Sequence, residues 1–303
     1  MRRVAANREY KDRLFKFIFG NPDHKEWTLS LYNAMNGSHY TDTSAIEFNT
    51  IESAVYMSMK NDVSFLIEDT VNFYEQQSTF NPNMPMRFLI YAGMAYSRYV
   101  EQTEDYNPYS SRQQTAPTPR CVCFYNGAES TNDRKILRLS DAFRNDFSSD
   151  IEVTVTMLNI NFGHNKALLE SCRPLKEYAW FVDSVRKNQQ ATDTLETAID
   201  MALAELSDDS LIKPFLLANQ AEVKYMCITE YDEQKMFARQ RKEALEEGME
   251  KGMEKGMEKG KLDMLLELFR DGMLTLQQAA EKAHMTVSEF EARAEKFETK
   301  KLR

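Results

Sequence analysis

The chain has 303 residues, 42% of them hydrophobic and 11% aromatic, with a net charge of −9. That much apolar material supports a large buried core and excludes a disordered chain. No run approaches the eighteen apolar residues of a membrane span, and polar residues follow Met1-Arg2-Arg3 where a signal peptide would be apolar, so no membrane partner and a cytoplasmic location are expected.

The acidic excess is uneven. Residues 1–190 hold 21 Lys/Arg against 23 Asp/Glu, and residues 191–303 hold 17 against 24. The near-neutral first part permits a local basic track, such as Arg134, Lys135 and Arg138 or Arg173 and Lys176, although single basic residues are usually solvated surface charges. Cys121, Cys123, Cys172 and Cys227 lack metal-ligand spacing and read as reduced core residues; the four histidines are scattered.

In chain order, Arg8–Phe19 and Lys25–Met35 read as helices separated by Gly20-Asn21-Pro22-Asp23. Residues 62–67 and 71–76 flank the turn Glu68-Asp69-Thr70 and predict an antiparallel hairpin. Such a hairpin can bring Asp62 and Glu75 to one end of a sheet. Mg²⁺ takes oxygen ligands and keeps several waters, so one Asp, one Glu and a backbone carbonyl suffice to hold it against a phosphate. An Asp and a Glu thirteen positions apart also fit an ordinary solvated hairpin.

Met86–Val100 follows as an apolar helix entered through Pro82 and Pro85, and residues 101–119 as a surface loop. Residues 120–126 and 151–160 are two further strands, which makes four strands and a small mixed sheet. Beyond Lys166 the chain reads as helical: Lys166–Lys187, Asp193–Leu206 and a long helix from Leu211 into the 240s, with Tyr178, Trp180, Phe181 and Met226 as core positions. From Gly248 to Gly260 the residues Gly-Met-Glu-Lys repeat in tandem. Four residues advance a helix by about 400°, so Gly and Met each trace a drifting stripe. The repeat reads as a helical connector, either a bendable spacer or a self-association surface. Three short helices end the chain, with Thr275 and Thr286 as N-caps. The expected organisation is a core over 1–190, a helical extension over 191–245, the repeat linker over 246–262 and a small helical, helix-turn-helix-like tail over 263–303.

Several motifs fall together in this order: Asp12, Phe15-Lys16 and Phe19-Gly20 on the opening helix; Asn61-Asp62; Glu75-x-Gln77; Asn81-Pro82-Asn83-Met84-Pro85-x-Arg87; and Phe124-Tyr125-Asn126-Gly127. In these the chain resembles the Rpn-type family of recombination-promoting PD-(D/E)XK nucleases and putative transposases over roughly residues 7 to 235. The resemblance implies an α/β, restriction-endonuclease-like core with a small mixed sheet flanked by helices, followed by a helical C-terminal extension. It also implies Mg²⁺-dependent cleavage of DNA, with Asp62 and Glu75 on the two acidic motif positions.

Gln77 stands where the motif name has Lys, and an amide can orient the attacking water but not supply a cation. Lys60, two residues before Asp62 and so on the same strand face, is a candidate substitute. The expected metal ligands are Asp62, Glu75 and the Gln76 carbonyl, with Asp12 as an outer-shell carboxylate and Arg87 as a contact to a DNA phosphate. A second reading is a catalytically weak nuclease-fold protein that acts by protein or DNA binding and self-assembly, with a homo-oligomer formed through the helical C-terminal region.

Overall fold

The computed structural model describes residues 14–48, 62–104, 106–145 and 148–301. Asp12, Lys60 and the start of the first expected helix lie outside them. The described chain is α/β: a six-stranded mixed sheet flanked by helices, then a helical C-terminal region. Contacts divide it into one compact unit ending at Lys235 and a second from Met236 onward. No described helix is long and apolar enough to cross a membrane.

The strands are β1 (Ile46–Phe48), β2 (Val63–Ile67), β3 (Thr70–Gln77), β4 (Thr118–Tyr125), β5 (Arg134–Arg138) and β6 (Thr154–Asn159). Their order in the sheet is β1-β2-β3-β4-β6-β5, with β3, β4 and β6 parallel and the other pairings antiparallel. The expected hairpin forms as β2 and β3, with Ile67 opposite Thr70 and Val63 opposite Tyr74. Its tight turn carries Glu68 at φ +49, a left-handed conformation. Two strands absent from the four expected ones, β1 and β5, are the edges. β1 has three residues, and β5 buries only Leu137, so neither carries an alternating apolar signal.

Period-two alternation sends the strand side chains to two cores. On one face Val63, Phe65, Ile67, Tyr74, Val122, Phe124 and Leu158 pack under α1 (Leu14–Phe19), α2 (Lys25–Asn36) and α5 (Arg173–Ala191). On the other, Val71, Phe73, Cys123, Tyr125, Val155 and Met157 meet Met84, Phe88 and Tyr91 of a single helix, α3 (Met84–Gln102). Glu75 and Gln77 share the α3 face.

The expected helix Lys166–Lys187 is two helices, α4 (Lys166–Ser171) and α5. Pro174 has no N–H to continue the ladder, and the chain restarts with Pro174 in the first turn of α5. The compact unit does not stop at residue 190. Ile199, Ala202 and Leu203 of α6 (Leu195–Glu205), Leu216 of α7 (Lys213–Ala218) and Val223 complete the same core as α2 and α5.

Helix α8 runs from Gln220 to Arg270, so the repeat and the first tail helix are one continuous element. It ends at Gly272, whose φ of +73 suits glycine. After it, α9 (Leu276–Lys282) starts with a capping box of Thr275 and Gln278, and α10 (Val287–Lys301) follows Thr286, whose hydroxyl accepts from Glu289 N–H. Leu266, Ala279, Ala280 and Phe290 form a separate small core in this second unit.

Candidate functional site

The site is built at the C-terminal end of β3, beside the start of β2. Extending the hairpin register by one residue sets Asp62 against Glu75, and Asp62 N–H points to Glu75 Oε2 at 3.3 Å. One residue further along β3, Gln76 N–H donates to Asp62 Oδ2 at 2.6 Å. In an extended strand the N–H and C=O of one residue face the same side, so the Gln76 carbonyl also points toward Asp62. Asp62, Glu75 and the Gln76 backbone are thus linked by hydrogen bonds at the C-terminal end of β3. Open α/β sheets characteristically bind ligands beyond the carboxyl ends of their strands.

Glu75 is 1% exposed. A buried carboxylate needs a partner, and the first turn of α3 brings one: Arg87 Nη2 donates to Glu75 Oε1. The same guanidinium donates to Tyr91 Oη, from Nη2 at 2.8 Å and from Nε at 3.2 Å. The Gln77 amide completes the group. Turned so that its oxygen accepts from Arg87 Nη1 at 2.9 Å, its nitrogen donates to the Thr79 carbonyl at 3.2 Å. The reverse orientation offers the nitrogen only the Met84 thioether, a weak acceptor, at 2.8 Å. In the first orientation Gln77, the residue expected to orient water, contacts Arg87 and Thr79 and helps to position the guanidinium.

Burial alone would lower the Arg87 pKa, but the adjoining Glu75 carboxylate, together with Tyr91 and Asp62, carries it above the ordinary value. Burial, and then the charge of Glu75, raise the Tyr91 phenol. At neutral pH the arginine is therefore a permanent cation and Tyr91 a neutral hydroxyl, and neither shuttles protons. The positive charge beside Glu75 comes from the helix α3.

The Phe124-Tyr125-Asn126-Gly127 segment leaves β4 beside the site and supports it from behind. Gln76 Nε2 donates to Asn126 Oδ1 at 2.5 Å, and Asn126 Nδ2 donates to Tyr178 Oη at 2.9 Å. Arg186, from the same helix as Tyr178, donates to the Asn126 carbonyl and to Asn161 Oδ1. The expected core role of Tyr178 holds, with the addition that its hydroxyl anchors this chain of bonds. Gly127 is fixed by space: a Cβ there would overlap the Ser78 carbonyl and the Tyr125 ring. Sequence reasoning missed Tyr91, Asn126 and Arg186 as members of the site. The available signals were the i,i+4 spacing of Arg87 and Tyr91 on one helix face and an Asn directly after an apolar strand.

The donor set suits a hard cation: two carboxylates and one backbone carbonyl, all oxygen. Among the described residues no group of three or more His, Cys, Asp or Glu gathers, here or elsewhere, so this site offers two carboxylates and no third such side chain. Asp12 and Lys60, the other two expected site residues, lie outside the described residues. Of the candidate basic track, Arg134, Lys135 and Arg138 are exposed on the edge strand β5, with Lys135 Nζ 4.3 Å from the Phe80 ring centroid. Arg173 and Lys176 instead pair with Glu177, Asp209 and Glu170. All four cysteines are free, and burial pushes the Cys121 thiol up to about 12 and Cys172 to about 11, which leaves both as protonated core thiols. No protein-family model, curated protein or solved structure matches this chain.

Proposed function

We propose that the chain is a Mg²⁺-dependent DNA endonuclease of the Rpn type, with a PD-(D/E)XK core, that hydrolyses phosphodiester bonds and promotes recombination. The observation that carries this reading is the meeting of Asp62, Glu75 and the Gln76 backbone at one strand end. Asp62, Glu75 and the Gln76 carbonyl would hold the ion. Bound there, Mg²⁺ supplies Lewis-acid polarisation of the scissile phosphate and a water of lowered pKa. Arg87, fixed by Tyr91 and Gln77, offers its fork of N–H groups to a phosphate oxygen and balances charge that develops during cleavage. Asn126 and Tyr178 hold Gln76 so that its backbone stays aimed at Asp62.

The test is nicking of supercoiled plasmid by the full chain, with and without Mg²⁺, beside Asp62→Asn. This substitution keeps the side-chain volume and removes one ligand charge, so cleavage should vanish while the melting curve stays cooperative. An Asp62→Asn protein that cleaves as fast as the wild type ends this assignment. A second reading, a catalytically weak nuclease-fold protein working through binding and self-assembly, is favoured by Met249, Met253 and Met257, which stand 55–70% exposed along the repeat. It predicts DNA retention or oligomers without Mg²⁺-dependent nicking.

A further inference from the structure

Both Glu75 oxygens are engaged before any cation arrives: Arg87 holds Oε1 and the Asp62 N–H points to Oε2, and of the two donors only the guanidinium is on a side chain that can move away. We propose that Arg87 and a divalent cation occupy Glu75 alternately, so that the guanidinium is a built-in competitor which leaves for phosphate when the cation enters. This rests on the site assigned above and adds an order of events to it.

Three observations carry the exchange. First, the guanidinium is anchored chiefly by Glu75: its other acceptors, Tyr91 Oη and the Gln77 oxygen, are neutral, and charge-assisted bonds are roughly twice as strong as neutral ones. Second, a cation bound to Glu75 and an arginine still touching it would lie within a few ångströms, where like charges repel strongly in a partly buried site. Third, the Arg87 side chain is 26% exposed whereas that of Glu75 is 2% exposed. The arginine therefore borders solvent and can turn off Glu75 about its Tyr91 and Gln77 contacts, while the carboxylate is fixed. Once released, Arg87 retains Tyr91 and Gln77 as pivots and presents freed N–H donors to an anion, and a phosphodiester is the anion a nucleic-acid substrate brings. By linkage, phosphate and cation then bind cooperatively, and the site takes up cation weakly when nucleic acid is absent.

The experiment is calorimetric titration of Mg²⁺ alone into the full chain, which reads cation binding whether or not the protein cleaves anything. Arg87→Met should bind Mg²⁺ about tenfold more tightly than wild type, the scale of one charge-assisted hydrogen bond no longer opposing entry. Tyr91→Phe, which loosens the guanidinium without uncovering Glu75, should tighten binding about twofold to fivefold, as loss of one neutral bond implies. In Arg87→Met, adding Glu75→Gln should abolish the gain. Equal or weaker Mg²⁺ binding by a folded Arg87→Met overturns the proposal; so does a gain that survives Glu75→Gln. If Arg87→Met melts below the assay temperature, Tyr91→Phe decides alone, and unchanged or weakened binding there overturns it. Absence of Mg²⁺ heat in every protein also overturns it. A wild type that binds Mg²⁺ with the predicted ranking yet fails to nick plasmid would remove the nuclease reading and leave the exchange standing.

Discussion

Two ion pairs in this chain have the same chemistry and different physical roles. Arg87 and Glu75 meet at the first turn of α3, with the acid buried among strands; Lys251 and Glu247 meet at 2.5 Å on the repeat helix, each 65% exposed. The first links two elements twelve residues apart and neutralises a charge on a side chain only 2% exposed. The second joins neighbours on one helix turn in solvent, where screening and side-chain entropy cancel most of the Coulomb gain. The contrast extends to glycine. Gly127 is wedged against the Ser78 carbonyl and the Tyr125 ring, while Gly248, Gly252, Gly256 and Gly260 have nothing within 4 Å of a would-be Cβ. Pair identity and residue type mean little until burial is known.

The largest expected effect comes from splitting the buried pair. Glu75→Ala strands the Arg87 cation beside a strand end and should destabilise the first unit by about 3–5 kcal/mol. Urea unfolding followed by tryptophan fluorescence measures it through Trp27 and Trp180, both placed in or against the core of that unit. A loss below about 1 kcal/mol would show that water reaches Glu75 and would erase the contrast with the repeat.

Gly127→Ala comes next. The added methyl meets a backbone oxygen and a ring that is itself 1% exposed, so neither yields without moving β4 or the loop after β3. Overpacking of this kind costs about 1–3 kcal/mol. The same substitution at Gly256 should act in the opposite direction, stabilising α8 by about 0.5–1 kcal/mol, because alanine removes backbone entropy from the unfolded chain and meets no neighbour. Helicity measured by circular dichroism on heating should rise for Gly256→Ala. A loss of helicity would mean that a partner packs closely on the glycine stripe, which would favour self-association over a free spacer.

The parts of the fold that were legible in the sequence are those governed by local periodicity. The β2–β3 hairpin was readable because apolar residues alternate on both sides of a tight turn, and that alternation alone placed Glu75 and Gln77 on one face. Thr275 and Thr286 were readable as caps because capping is decided within four residues. The edge strands were not, since Arg134–Arg138 buries a single side chain and is held by its ladder to β6 rather than by pattern. Within the site, the two acids could be paired from spacing, but the partner of Glu75 could not. That Arg87 takes it, that Gln77 meets Arg87, and that Asn126 reaches Tyr178 all depend on how α3 and α5 cross opposite faces of the sheet.

The smallest expected effect is the sharpest control. Lys251→Ala removes the exposed partner of Glu247 and should shift stability by about 0.3 kcal/mol at low salt, the scale of one i,i+4 pair. The sign is itself informative. Alanine is the better helix former, so the propensity gain offsets the lost attraction, and raising the salt concentration to about 1 M, where the Debye length falls to about 3 Å, should leave only the gain. Thermal melts of wild type and Lys251→Ala at low and high salt therefore predict a small difference that moves in favour of the variant as salt rises. At Glu75 a much weaker dependence on monovalent salt is expected, because a partly buried pair is screened far less than an exposed one. If Lys251→Ala were instead destabilised by more than about 1 kcal/mol in a salt-independent way, Lys251 would be buried against something in solution, and the repeat would have to be treated as an interface rather than a solvated helix.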